Sequence, residues 1–247
     1  MSIHAITQTV GGLTCRMIDA LPPGRTPRYL VVLCHGFGAP GDDLVDLGGW
    51  LADADDSIRE NCRFVFPAAP IDLGPMGMPG GRAWWPINMA RLAEINQTQD
   101  YDKLTTLRPE GMTEASTLLH GAIRELLARD QLHEEQLILG GFSQGAMVTT
   151  DVTLTHQLHP ALLVLFSGTL LCRDQWHALA AAHSGTDVIQ SHGTIDPVLP
   201  FSPAEQLRDL LVESGFPVEF VPFRGQHTIP LQVLSLVAER LKGLCET

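Results

Sequence analysis

Short, continuous apolar runs alternate along this chain with longer stretches whose apolar residues recur every three or four positions. Tyr29-Leu30-Val31-Val32-Leu33-Cys34, Phe64-Val65-Phe66 and Leu137-Ile138-Leu139 are too short for helices and have the unbroken apolar character of buried strands. The same reading applies over 162–166 and over 187–193, where the run ends in Gly193. Val218-Glu219-Phe220-Val221-Pro222-Phe223 alternates instead, as a strand with one covered face does. Helical spacing is clearest over 113–129, with Thr113 expected as N-cap and Leu118, Leu119, Ile123, Leu126 and Leu127 on one face. Further helices are expected over 42–60, broken near Gly48-Gly49, and over 203–213 and 228–244. Strand and helix in alternation, without repeats or low-complexity tracts, predict an α/β architecture: a mainly parallel central sheet flanked by helices on both faces. At 247 residues the chain reads as one domain spanning 1–247.

The chemistry is concentrated where such strands end. Gly141-Phe142-Ser143-Gln144-Gly145 joins the apolar run 137–139 to a helical stretch opening with Ala146-Met147-Val148. A serine at the apex of a strand–turn–helix, with glycine two residues to either side, has its hydroxyl pushed into solvent above a helix N-terminus. Past the strand at 187–193 comes Asp196, and past the strand at 218–223 comes Gly225-Gln226-His227. Serine, then acid, then histidine is the chain order of α/β-hydrolase triads. The chemistry needs those types: the hydroxyl is a weak nucleophile until a neutral imidazole takes its proton, and a carboxylate fixes the imidazole's tautomer. Asp174 also follows a strand end, and His192 also lies beside one, but neither fits the order and motif as well. A fourth element, His35-Gly36-Phe37-Gly38, closes the first apolar strand. Its Phe37 amide, with the amide of Gln144, is placed to form an oxyanion hole.

These four motifs resemble the phospholipase/carboxylesterase family, small serine esterases that include the acyl-protein thioesterases. The resemblance spans about residues 28–240, and Gly-Phe-Ser-Gln-Gly is more specific than the generic pentapeptide. It implies an α/β-hydrolase fold, Ser143 as nucleophile, Asp196 as acid, His227 as base, and the Phe37 and Gln144 amides as oxyanion hole. It also implies no metal and no organic cofactor. The chain departs from the family pattern in carrying Ala146 where a second glycine is usual, and in a longer, more aromatic segment over 71–109.

That segment carries Pro75, Met76, Gly77, Met78 and Pro79, then Arg82-Ala83-Trp84-Trp85-Pro86, and a short helix is expected over 88–96. Connections of this length are commonly lids or binding loops. Trp84, Trp85 and Met76 are therefore the candidate substrate-binding residues, their large adaptable surfaces suiting an acyl group. The competing reading is that both tryptophans pack the segment onto the sheet.

Composition narrows the partners. With 16 basic against 28 acidic residues the net charge is −12, which argues against nucleic acid or an anionic membrane surface. Apolar residues make up 45%, yet no uncharged apolar run approaches the length of a membrane-spanning helix. The N-terminal residues lack the basic start and apolar core of a secretory signal. Cys15, Cys34, Cys62, Cys172 and Cys245 are odd in number and widely spaced, as reduced cysteines of a cytoplasmic protein are. His120, His133, His177 and His183 read as surface residues of helices. The expectation is an enzyme acting on small-molecule carboxylic esters of small to medium acyl chain. An acyl-protein or acyl-coenzyme thioesterase is the rival within enzymes, and a ligand-binding protein on a hydrolase fold the rival outside them.

Overall fold

The computed structural model describes residues 4–22, 24–183 and 185–246. In chain order the strands of the main sheet are β1 (His4–Val10), β2 (Leu13–Asp19), β3 (Tyr29–Cys34) and β4 (Cys62–Pro67). A two-stranded ribbon of β5 (Ile71–Asp72) and β6 (Arg82–Ala83) follows, and then β7 (Leu137–Phe142), β8 (Leu162–Phe166), β9 (Asp187–Gly193) and β10 (Val218–Phe223) complete the main sheet. Its order is β1-β2-β4-β3-β7-β8-β9-β10, antiparallel between β1, β2 and β4 and parallel from β4 onward. The mainly parallel sheet predicted by the alternation is therefore present.

Helices cover both faces because each buried strand is apolar on both. On β3, Val31 and Leu33 belong to a layer with Leu51 and Ile58 of α1 (Val45–Ala54) and α2 (Asp56–Asn61), and with Val237 and Leu241 of α9 (Leu231–Glu246). Leu30 and Val32, the alternate residues, belong to the opposite layer. That layer takes in α3 (Met89–Thr98), α4 (Asp102–Thr105), α5 (Met112–Asp130), α6 (Gln144–Thr155), α7 (Arg173–Ala180) and α8 (Phe201–Glu213).

The helix expected over 42–60 breaks at Asp55, not at the glycines. Asp55 is the N-cap of α2, its carboxylate accepting from the Ser57 backbone N–H at 2.9 Å. Gly48 instead lets α1 settle on the sheet, since a Cβ there would lie 2.3 Å from the Phe66 ring. Alanine at that position would gain about 1 kcal/mol of helix propensity. Crowding the buried Phe66 ring costs more, typically about 1–3 kcal/mol when the clash is this close. We expect Gly48→Ala to lower the melting temperature by about 2–8 °C; a melting temperature equal to or above wild type would show that the ring yields.

Two other features differ from the sequence expectation. The N-cap of α5 is Gly111, and Thr113 sits in the first turn, where its hydroxyl accepts from Arg108 at 2.8 Å. His183 is buried, stacked between His159 and Phe216 with ring centroids 4.3 and 5.4 Å away. All five cysteines are free and buried; the Cys62 and Cys245 sulfurs lie 3.7 Å apart. At the far edge, β10 contains Pro222 and, among the described residues, pairs only with β9.

Candidate active site

Ser143 closes β7 and opens α6 with φ 55° and ψ −117°, outside the regions an L-residue normally occupies. Such backbone costs of order 1–3 kcal/mol and persists only where surroundings enforce it. Here the enforcement is contact. A Cβ on Gly145 would stand 1.9 Å from the Cys34 carbonyl oxygen, and one on Gly141 2.5 Å from the Gly145 backbone. Only hydrogen fits at either position, so helix and strands close on the serine turn. The Ser143 N–H is held by the Phe166 carbonyl at 2.9 Å.

The next strand ends carry the candidate acid and the candidate histidine. After β9 the chain folds back on β10 through Thr194 N–H to Phe223 O at 2.8 Å. Asp196 then lies with one carboxylate oxygen accepting from the Val198 and Leu199 N–H groups at 2.8 and 3.0 Å. Its other oxygen is 2.6 Å from His227 Nδ1. The Asp196 side chain has no exposed surface, while that of His227 keeps 16%. Burial opposes ionisation of Asp196, but the His227 bond and charge and the two backbone N–H groups together hold its carboxyl below the usual range. An ionised Asp196 requires the proton on Nδ1, leaving the lone pair on Nε2. The His227 ring packs on Phe142, the neighbour of Ser143, with centroids 4.7 Å apart. Ser143 Oγ itself makes no hydrogen bond among the described residues; catalytic contacts often tighten only with substrate bound.

The structure places the two other candidates differently. The Asp174 side chain is 94% exposed on α7. His192 is buried, donates from Nε2 to the Leu199 carbonyl at 2.9 Å, and has its basicity lowered by that burial. It sits 3.5 Å from Asp196 as a neutral wall.

The first turn and the long segment are knit together. His35 Nε2 accepts the Ala69 N–H at 2.9 Å, so its proton is on Nδ1, which donates to the Gly36 carbonyl at 2.8 Å. Gly38 N–H bonds Arg82 O at 2.8 Å, and Arg82 N–H bonds Ala39 O at 2.9 Å. Trp84 Nε1 donates to the His35 carbonyl at 3.0 Å. The Gln144 side chain, fully buried, accepts from the Trp84 N–H at 2.9 Å and donates to the Trp85 carbonyl at 2.8 Å. The backbone N–H groups of Phe37 and Gln144 donate to no group among the described residues.

A cleft of about 410 Å³ opens beside this assembly, with Trp85, Leu92, Ile95, Leu104, Met147 and Leu199 among its walls. Met147 is one turn along α6 from Ser143, and the Leu199 N–H bonds Asp196, so neighbours of both residues line the cleft. Polar groups, including Arg91, Arg108 and Glu110, also line it. Trp85 is thus both core and wall, only 2% exposed. Trp84 is buried in the core and Met76 is 61% exposed; neither lines the cleft. Helix α3, capped by Asn88, forms one side and is tied to the acid loop by Asn96 donating to Val198 O at 3.0 Å. Among the described residues no group of three or more His, Cys, Asp or Glu is placed to hold a metal ion.

An eight-stranded sheet of this order, with a serine at a strained strand–helix turn and a carboxylate–imidazole pair from later strand ends, is that of an α/β-hydrolase. Residues 19–244 match the phospholipase/carboxylesterase family, and the chain belongs to it. It is 30% identical over 191 residues to acyl-protein thioesterase 1 of Eremothecium gossypii, covering 76% of this chain and 75% of that protein. To acyl-protein thioesterase 1 of Candida albicans it is 26% identical over 239 residues, or 90% and 95% of the two chains. Among solved structures, esterase PE8 superposes with a TM-score of 0.76 at 27% identity, covering 94% of this chain and 98% of that one. A carboxylesterase from Mesorhizobium loti shares the fold, with a TM-score of 0.74 at 18% identity over 97% and 99% of the chains. The chain is a hydrolase of the carboxylesterase or thioesterase type. No helix among the described residues is long and apolar enough to cross a membrane.

Proposed function

We propose that this hydrolase cleaves carboxylic esters of small to medium acyl chain through a Ser143–His227–Asp196 triad and an acyl-enzyme. The observation that carries the reading is the 2.6 Å Asp196–His227 contact beside the strained Ser143 turn. His227 Nε2 takes the Ser143 proton as Oγ attacks the carbonyl carbon. The resulting oxyanion is held by the Phe37 and Gln144 amides, and the protonated histidine then donates to the departing alcohol. Water, deprotonated by the same imidazole, releases the acid and restores the serine. No metal or organic cofactor takes part.

The cleft supports the size assignment, since about 410 Å³ lies at the small end of ligand sites. Thioesters are the second reading, favoured by relatives named acyl-protein thioesterases; the acyl-enzyme would be the same and only the leaving group a thiol. The small-molecule ester, or an acylated protein or coenzyme, is the partner, and the net charge of −12 argues against nucleic acid. Five free buried cysteines fit a reducing, cytoplasmic setting.

Matched p-nitrophenyl esters and thioesters of graded acyl length test the assignment. Faster turnover of short and medium esters is expected, with covalent labelling by a fluorophosphonate. Preference for thioesters at every length would move the protein to the second reading, and absence of turnover on either would make it a binding protein.

Trp85→Ala should enlarge the cleft and shift relative kcat/KM toward longer acyl groups by roughly 10- to 200-fold. Trp84→Ala, removing a buried ring that does not line this cleft, should lower stability by about 3–5 kcal/mol without shifting preference toward longer acyl groups. An unchanged profile in the Trp85 variant would remove that residue from the acyl site.

A further inference from the structure

The triad leaves one buried polar side chain beside the serine unused, and its contacts go furthest. The Gln144 carboxamide has no exposed surface and spends its acceptor and one donor on consecutive backbone groups, Trp84 N–H and Trp85 C=O. Those residues continue the strip that begins at Arg82, whose own N–H and C=O grip the Phe37 turn through Ala39 and Gly38. Between the two grips, Trp84 Nε1 holds the His35 carbonyl. Residues 82–85 therefore bridge the two turns that carry the two candidate oxyanion amides.

We propose that this strip is a crossbar that fixes the spacing of the Phe37 and Gln144 amides, with the Gln144 side chain as the positioning residue, and that an acyl group lying against Trp85 braces it. The inference rests on the esterase reading above. Residue chemistry supports it. A primary carboxamide is the group of this length that can accept from one peptide N–H and donate to the next carbonyl at once. In a buried site no water stands ready to replace either bond, so losing them leaves Trp84 N–H and Trp85 C=O unsatisfied and lets the strip move. Misplacing a group near the reacting atoms by about 1 Å can cost 10²-fold in rate, which makes small displacements of these amides consequential. Trp85 also lines the cleft, so the surface the acyl chain packs on belongs to the same strip. Binding energy from the acyl tail can then be expressed at the oxyanion, and chain length should raise kcat as well as lower KM.

The experiment measures kcat and KM for p-nitrophenyl acetate and hexanoate, with active sites counted by end-point fluorophosphonate titration. Gln144→Met keeps the backbone amide and removes both side-chain bonds. We expect kcat per titrated site to fall about 10- to 100-fold, with little change in the hexanoate KM and a flattened rise in kcat from acetate to hexanoate. A merely structural role would lower the melting temperature and the number of titrated sites while leaving kcat per site intact. Unchanged kcat per site, or a loss confined to KM, would overturn the proposal.

Gln144→Glu supplies the rescue. A buried carboxyl without a charge partner stays protonated above its ordinary range, so at about pH 6 it can still accept from Trp84 and donate to Trp85. Its kcat should exceed that of the methionine variant there and fall relative to wild type as pH rises. Equal rates for the two variants across the pH range would count against the hydrogen bonds. Should Gln144→Met not fold, Trp84→Phe removes only the donor to His35 and should lower kcat per site in the same direction; no change would overturn the crossbar. Failure here is distinct from failure of the esterase reading, which Ser143→Ala tests: full turnover in that variant ends both, whereas its inactivity beside a normal Gln144→Met ends only this one.

Discussion

Ser143→Ala is expected to abolish ester turnover and fluorophosphonate labelling, lowering the rate by on the order of 10⁴-fold or more. The hydroxyl is the only atom lost, and it makes no hydrogen bond among the described residues, so packing around the turn is untouched. The melting temperature should stay within experimental error of wild type. What remains without the nucleophile is whatever the oxyanion amides and binding give a direct attack by water. His227→Ala should match it closely, because base and nucleophile act as a unit. Retention of even a tenth of wild-type turnover by the serine variant would mean that the nucleophile lies elsewhere.

Asp196→Asn should reduce turnover by on the order of 10³–10⁴-fold, while Asp174→Asn leaves it alone. The reason lies in which atoms face His227. Asparagine can keep the bonds from the Val198 and Leu199 N–H groups through its carbonyl oxygen. It then points an NH₂ at Nδ1, which must give up its proton to accept, and the tautomer presented by Nε2 is the wrong one for a base. The exposed Asp174 has no such contact. Stability carries a separate signature. A carboxyl whose pKa is depressed by folding contributes stability above its unfolded pKa and loses it as pH falls through the folded one. The melting-temperature gap between wild type and Asp196→Asn should therefore narrow toward acid pH. A gap that widens there, or a larger rate loss in Asp174→Asn, would reverse the assignment.

The parallel half of the fold is legible because its buried strands are short unbroken apolar runs, and each candidate reactive residue follows a strand end. The hairpin of β1 and β2 is harder to read from the sequence, although its signal is present. Gly11 and Gly12, both at positive φ, form the two-residue turn, and buried and exposed residues alternate from Leu13 to Met17. The alternation is obscured by threonines and a cysteine that carry little hydropathy contrast. Asp196 and His227 are candidates for acid and base on chain order alone, since the parallel topology leaves few strand ends to choose from. The role of the Gln144 side chain is not legible that way. Its partners are backbone groups about 60 residues away, and backbone hydrogen bonding leaves no imprint on residue type. The same holds for Gly48, which is a breaker by propensity and a seat for Phe66 by contact. Trp84 and Trp85 are indistinguishable in sequence; only the fold assigns one to the core and the other to a cleft wall.

His227 follows β10, one of the two edge strands of the sheet. An open edge normally invites a strand from another molecule, and docking there would drag on the loop that follows. This edge is a poor template. Pro222 removes one donor from the row, and Glu219 is engaged by Arg240 of α9 at 3.1 Å. The same few residues that finish the sheet thus disfavour strand addition beside the loop that carries His227.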